Sequence, residues 1–346
     1  MKTELSILMM PSKMMNEVNI FSQSGDHSGD LLTKYLFYLT YSLQIENLIL
    51  RFNREEKINA LTHLLSNDDT IFKVDIGNFN KVFGNSTFSY LTRRCHFQFD
   101  SKYFNNRIDE VNKFHSKEAM AFINYLFNFI ESNSNIQFGQ YHKESEDNKL
   151  IQLYYAQKNH LKIPKTIITT SKKELEIFMS PLKEYIIKPI TNQIAFWDSG
   201  GYWQSTGTSL FTKADLNNLN EFFFPTLVQE RIVKKYEIRT FFYEDDYWSM
   251  AMLTQKNDKT RLDYRNYDTE TPNRRVPISI DETNLSKIKS TMNSLNLHTG
   301  SIDFIVDKNN ELIFLEVNPT GQFGMVSSSC NYYIEKFIAN KLINER

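Results

Sequence analysis

The sequence predicts a mixed α/β (α+β) protein with an N-terminal α/β lobe, a central lobe and a C-terminal lobe dominated by an antiparallel sheet. Three observations predict it. The chain opens with strand, polar turn, helix and strand over residues 18–52. A long amphipathic helix follows at Ser116–Asn133, with Met120, Ile123, Phe127 and Ile130 on one face. From Glu184 onward, segments rich in Ile, Phe, Tyr and Val recur, separated by only a few helical stretches. A length of 346 residues allows two or three packed lobes. The divisions fall near 112–116 and 180–185, giving lobes at 1–115, 116–183 and 184–346.

Taken in order, the residues up to Glu17 carry no pattern, and Val18–Ser22 reads as a short strand. The stretch SQSGDHSGD is a turn, and a helix starts near Leu31, with Leu32, Tyr35, Leu36 and Leu39 at helical spacing. Asn47–Phe52 is the next strand. The polar stretch after Asn133 reads as a connection, followed by a helix at Lys149–Lys158 and a strand in KIPKTIITT. Ser171 and Glu174 form an S-x-x-E capping box before a further helix. Strands are then expected in EYIIKPI, TLVQERIV, EIRTFFYE, YWSMAMLTQ, SIDFIVD and ELIFLEVN, with helices at Ala214–Phe223 and Asn284–Leu295. FWDSGGYWQSTG reads as a hairpin with Gly200–Gly201 at its tip.

Composition narrows the functional classes. A net charge of −1 gives no global field to attract nucleic acid or anionic lipid, so neither is an expected partner. No apolar run is long enough to span a bilayer. Two cysteines, Cys95 and Cys330, are too few for a disulfide framework or a Cys-based zinc site, and a cytoplasmic protein is expected.

The most informative stretch is SIDFIVDKNNELIFLEVNPTGQFG. Glu316 and Asn318 are two apart on one strand and project to the same side. A two-residue turn at Asn309–Asn310 would set Asp303 of the preceding strand opposite Glu316. Three oxygen-bearing side chains then converge, and hard divalent cations such as magnesium take oxygen ligands. Two carboxylates about 4 Å apart repel by about 4 kcal/mol at an effective dielectric of about 20, so acids beside Phe314 and Leu315 need something to offset them. The Asn-Pro-Thr-Gly end stops the strand just beyond these residues. The same pattern also fits a half-buried hairpin with its acids in solvent.

Lys188 lies inside the apolar strand YIIKPI, where a lysine needs a partner. It suits a phosphate contact or a snorkelling strand-end position. Lys149 opens its helix after the DNK turn. In TLVQERIVKKYEIRTFF, Glu230 and Glu237 could receive the surroundings of an adenine and the hydroxyls of a ribose, or could line a charged edge strand. The Gly200–Gly201 tip could fold over phosphates.

Together these segments resemble the ATP-grasp superfamily and, more narrowly, the grasp-with-spasm peptide maturases related to microviridin-type graspetide ligases. The resemblance runs from about Val18 to the C-terminus through NKLIQLYYAQKNHLKIPKTIITT, YIIKP, VQERI, EIRTFF and IDFIVD…LEVNPTGQF. RFN, LTRR, DYRNYD and NRRVPI carry its narrower part. The resemblance implies ATP held between the central and C-terminal lobes, with Lys149 and Lys188 on its phosphates. Glu230 and the backbone near Ile232 would hold adenine, Glu237 would hold ribose, and Gln229 and Arg231 would also belong to the nucleotide-binding set. Asp303, Glu316 and Asn318 would bind Mg2+, and Arg239 and Arg265 would stabilise the transferring phosphoryl group or the acyl phosphate.

The implied reaction phosphorylates a carboxylate and passes the acyl group to a hydroxyl or an amine. Both groups would belong to one ribosomally made precursor peptide of leader and core, giving ω-ester or ω-amide rings. Residues 256–282 read as a long charged loop in which Arg274 and Arg275, with Arg261 and Arg265, could receive an acidic core peptide, or which could be a plain solvated loop. A homodimer is expected by analogy with relatives. A small-molecule carboxylate–amine ligase would show the same core, and a non-catalytic nucleotide-binding protein is the reading from a different class.

Overall fold

The computed structural model describes residues 16–23, 25–43, 47–53, 58–66, 70–76, 79–83, 88–93, 109–145, 148–191, 195–197, 203–205, 207–254 and 273–344. The chain forms two compact units, Met1–His142 with Tyr333–Arg346, and Lys143–Tyr332.

The first unit is built on a parallel sheet. Strands β1 (Asn16–Ser22), β2 (Asn47–Asn53), β6 (Phe88–Arg93) and β7 (Ser134–Phe138) lie in the order β2-β1-β6-β7. Parallel sheets bury both faces, which explains the unbroken burial of Val18 to Ser22. Phe21 and Tyr90 face a cluster shared with α2 (Asp109–Asn133) and with β3 (Ile58–Leu65), β4 (Thr70–Ile76) and β5 (Phe79–Phe83), an antiparallel meander. Helices α1 (His27–Leu43) and α9 (Ile334–Asn344) pack on each other and on strands of the parallel sheet.

Several expectations change here. Helix α1 starts at His27 rather than near Leu31, because Asp26 already accepts the first helical bond from Asp30 N–H. Met120 of α2 is 46% exposed, because the buried stripe begins only at Ile123. The boundary expected at 115/116 falls inside α2. The stretch read as a connection after Asn133 contains β7 and α3 (Tyr141–Ser145); β7 pairs with β6, a long-range partner that local polarity conceals.

The second unit carries two larger sheets. In one, β12 (Ser209–Phe211), β9 (Tyr185–Lys188), β13 (Phe222–Glu230) and β8 (Thr166–Ser171) run in that order, covered by α5 (Lys172–Phe178) and α6 (Lys213–Asn218). A boundary at 183/184 would cut this sheet, since β8 pairs with β13. Ser171 is the N-cap of α5, but its side chain makes no capping bond, and its own N–H goes to Thr169 Oγ1. Helix α6 ends at Asn218, and Phe222 and Phe223 start β13 instead of extending the helix. A short hairpin pairs β10 (Ala195–Trp197) with β11 (Trp203–Ser205); Gly200–Gly201 lies outside the described residues.

The other sheet is antiparallel, in the order β16-β15-β14-β17-β18: β16 (Arg274–Ile278), β15 (Asp246–Leu253), β14 (Lys234–Tyr243), β17 (Thr299–Asp307) and β18 (Leu312–Asn318). Its core face packs Ile238, Ile302, Phe304, Phe314 and Val317 against α4 (Lys149–Lys158) and α7 (Glu282–Ser294). Helix α8 (Gly324–Cys330) lies near β14, β15 and β16. Among the described residues no helix is long and apolar enough to cross a membrane.

Candidate active site

The β17–β18 hairpin is the frame of the site. Its loop has three residues, 308–310: Asp307 N–H donates to Glu311 O, and Asn310 adopts a φ of 65°. That differs from the two-residue turn expected at Asn309–Asn310. A β-bulge compensates. Phe304 pairs with Phe314, but Asp303 pairs with Glu316, so Leu315 is the extra residue. Asp303 therefore does stand opposite Glu316, and Ser301 stands opposite Asn318.

The bulge also decides which way the side chains face. Strict alternation would put Glu316 on the face of Phe314. Instead Phe314 and Val317, three apart, both enter the core with Ile302, Phe304 and Val306. Glu316 and Asn318 then share the opposite face with Asp303. The acids do not lie inward beside Phe314.

Two cations offset these carboxylates. Arg239 on β14 pairs in register with Asp303, and its Nη1 donates to Asp303 Oδ1 at 2.9 Å and Oδ2 at 3.1 Å, both side chains being nearly buried. Lys149 Nζ lies 3.7 Å from Glu316 Oε2 and donates to Thr191 O at 2.6 Å. Helix α4 places Lys149 because Asn148 caps it, its Oδ1 accepting from Leu150 and Ile151 N–H, while Lys149 N–H donates to Ile190 O beyond β9.

The oxygen-only donor set of Asp303, Glu316 and Asn318 fits a hard divalent cation better than a soft one. Among the described residues, no group of three His, Cys, Asp or Glu side chains offers an alternative metal centre. The strand ends in a tight turn: Asn318 Oδ1 accepts from Thr320 N–H at 3.0 Å, and Asn318 O accepts from Gly321 N–H at 3.0 Å. Gly321 has a φ of 59°, and a Cβ there would sit 3.0 Å from the Gly300 Cα, so two glycines let this turn rest on β17.

The remaining expected residues form other groups. Lys188 pairs with Leu227 across β9 and β13 and is half-buried. Gln229 donates through Nε2 to Thr166 Oγ1 at 3.0 Å, Glu230 pairs with Lys183, and Arg231 Nη1 donates to Glu184 Oε2 at 2.7 Å. Ile232 lies in the short link from β13 to β14. Glu237 is buried, where its carboxylate accepts from Lys234 and from Thr254 Oγ1. Burial raises its pKa, with Lys234 opposing the shift. Arg274 and Arg275 are not in a loop: they open β16, where Arg275 pairs with Met252, and Arg275 Nη1 lies 3.5 Å from Ser329 Oγ. Arg261 and Arg265 fall outside the described residues.

The sequence reading missed Gln152, Lys234 and Gly300; Gly321 it noted only as the end of the Asn-Pro-Thr-Gly stop. Gln152 left a signal. Lys149, Gln152, Leu153 and Ala156 form the buried stripe of α4 at positions i, i+3, i+4 and i+7, and polar groups there require buried partners.

No protein-family model and no curated protein matches the sequence. Solved structures do match. A RiPP-associated ATP-grasp ligase of Chryseobacterium gregarium, in complex with ADP and a leader and core peptide, is 21% identical with a TM-score of 0.78, over 96% of this chain and 98% of that one. The macrocyclase MdnC of Microcystis aeruginosa, bound with precursor peptide MdnA, is 20% identical with a TM-score of 0.74, over 95% and 100%. The chain has the ATP-grasp fold. A third match is the ATP-grasp ligase PsnB, complexed with minimal precursor, Mg and ADP, at 14% identity and a TM-score of 0.68, over 96% and 99%. The fold expected from the resemblance is therefore the observed one.

Proposed function

We propose that the protein is an ATP-dependent carboxylate ligase that closes side-chain ω-ester or ω-amide rings in a ribosomally made precursor peptide. One observation carries the reading: Asp303, Glu316 and Asn318 share one face of the β17–β18 hairpin, with Arg239 and Lys149 against the two carboxylates. The structural neighbours that hold nucleotide, magnesium and peptide support it.

In this reading Asp303, Glu316 and Asn318 hold Mg2+, which supplies charge neutralisation at the phosphates. Lys149 and Lys188 bind phosphate oxygens as point charges. The segment Gln229–Ile232 receives adenine. Glu237, which stands beside Lys234, is assigned to the ribose. Arg239 offers a planar fork to the transferring phosphoryl group, with Arg265 in the same role.

A substrate carboxylate oxygen attacks the γ-phosphorus, and ADP leaves. A hydroxyl or amine of the same peptide then attacks the acyl carbon; phosphate leaves, and the nucleophile gives up its proton. Arg274, exposed at the start of β16, and Arg275 receive the acidic core peptide. The protein acts in the cytoplasm, as a homodimer.

The test incubates the protein with ATP, magnesium and a precursor peptide encoded beside its gene, and counts waters lost by mass spectrometry. Loss of one water per ring, abolished by Asn318→Ala, is the expected result. No loss at saturation would favour a small-molecule ligase.

A further inference from the structure

Strand β18 is the outer strand of its sheet among the described residues, and along its outer edge only an isolated parallel bridge, Lys162 with Ile313, is formed by them. That edge is nevertheless covered. Phe314 N–H donates to Lys162 O at 2.8 Å. Three residues on, the Gln152 carboxamide bonds Val317 twice: Nε2 donates to Val317 O at 3.0 Å, and Oε1 accepts from Val317 N–H at 3.0 Å. Gln152 and Val317 are both buried, so water cannot replace these bonds. One side chain thus does for Val317 what a further strand would do.

The position of this clamp matters. Val317 lies between Glu316 and Asn318 in β18, so fixing its peptide groups fixes the directions in which both neighbours project. Gln152 also sits one helical turn after Lys149, on the same buried stripe of α4. Lys149 in turn approaches Glu316. A single helix therefore carries both the cation beside Glu316 and the clamp on its strand.

We propose that Gln152 is a positioning residue for magnesium and nucleotide: it locks Lys149, Glu316 and Asn318 into one rigid unit, setting the spacing between the phosphate lysine and the metal ligands. This rests on the site reading given under the proposed function. Gln152 bonds Val317 through both carboxamide atoms, and its assigned role is exerted through that residue.

The test uses the full chain and two variants. Gln152→Met keeps length and bulk but makes neither bond; Gln152→Glu keeps the acceptor for Val317 N–H and loses the donor. The readouts are hydrogen exchange of the Val317 amide and ADP affinity by calorimetry, with and without Mg2+. For Gln152→Met, the Mg2+-dependent gain in ADP affinity is expected to fall about tenfold or more, with metal-free ADP affinity changing by less than about twofold. Val317 exchange accelerates in parallel, and Gln152→Glu falls between wild type and Gln152→Met.

A Gln152→Met protein with the full Mg2+-dependent gain, whatever its melting temperature, would reduce Gln152 to a purely structural residue and overturn the proposal. If Gln152→Met does not fold, Gln152→Glu decides by the same criterion. Wild-type protein lacking any Mg2+-dependent gain takes the site reading down as well, so the two failures are distinguishable.

Discussion

Arg239 meets Asp303 through one guanidinium nitrogen that reaches both carboxylate oxygens, at 2.9 and 3.1 Å, between strands that are direct partners. The contact is nearly buried, so each charge depends on the other for its solvation. Truncating one partner takes this ion pair away from a nearly buried charge. Arg239→Met and Asp303→Asn should each destabilise the protein by about 3 kcal/mol, and the double variant by at least about 1 kcal/mol less than the sum. Chemical denaturation of the four proteins measures this; additive losses would show that the pair is not coupled.

Lys149 is held from three sides: by its capped helix, by Thr191 O and by Glu316. Lys149→Met should weaken ADP binding about 10- to 100-fold, the range for losing a charge-assisted bond. Calorimetry decides, and unchanged affinity would remove Lys149 from the proposed nucleotide site.

Gly321 combines a positive φ with close contact to Gly300 and Phe241. Gly321→Ala should cost about 1–3 kcal/mol through the strained backbone and the displaced turn. Because Asn318 anchors that turn, the same variant should lose Mg2+-dependent ADP affinity. A stability loss without that second effect would separate the turn from the proposed metal site.

Asp281 caps α7, accepting from the Asn284 backbone N–H at 2.9 Å and from its side chain at 2.7 Å. The backbone bond, then the side-chain bond, lowers its carboxyl pKa. A pKa lowered on folding means stability that is present above the unfolded value and lost as pH falls through the folded one. Asp281→Ala should therefore cost about 0.5–1 kcal/mol at neutral pH, at the low end of cap losses because the group is exposed. The gap to wild type should narrow below about pH 4, where the aspartate protonates. A pH-independent gap in thermal melts would contradict this.

Arg274 is exposed at the start of β16, whereas Arg275 is half-buried near Ser329. Arg274→Glu should weaken precursor-peptide binding severalfold, about 1 kcal/mol for a rim charge, and leave ADP affinity unchanged. Fluorescence anisotropy of labelled peptide tests it, and equal peptide affinities would discard the capture role.

Much of the candidate site's framework was legible along the chain because its cues are local. Helix α4 has the expected limits, Lys149–Lys158, since its cap, Asn148, adjoins it and its buried stripe lies within its own residues. Strands β17 and β18 were recognisable from their Ile, Phe and Val content. The bulge at Leu315 was not, although Phe-Leu-Glu-Val hints at it: two apolar residues before an acid break strict alternation, and that break lets Phe314 and Val317 enter the core together. The meander β3–β5 and the return of α9 to the first unit also went unread. Their apolar faces are satisfied by α2 and by the parallel sheet, far away in the sequence.

By itself, the sequence determined the supply of chemistry: two carboxylates and a carboxamide in one hairpin, lysines at Lys149 and Lys188, and an arginine in the neighbouring strand segment. Such features depend on residue type and short-range spacing. Only the tertiary structure decided that Arg239 faces Asp303, that Glu316 leaves the face of Phe314, and that Gln152 grips the strand between two ligand candidates. Those outcomes follow from strand order, one bulge and the packing of α4 against β18, which are set by burying Leu153, Phe304, Phe314 and Val317 in a common core.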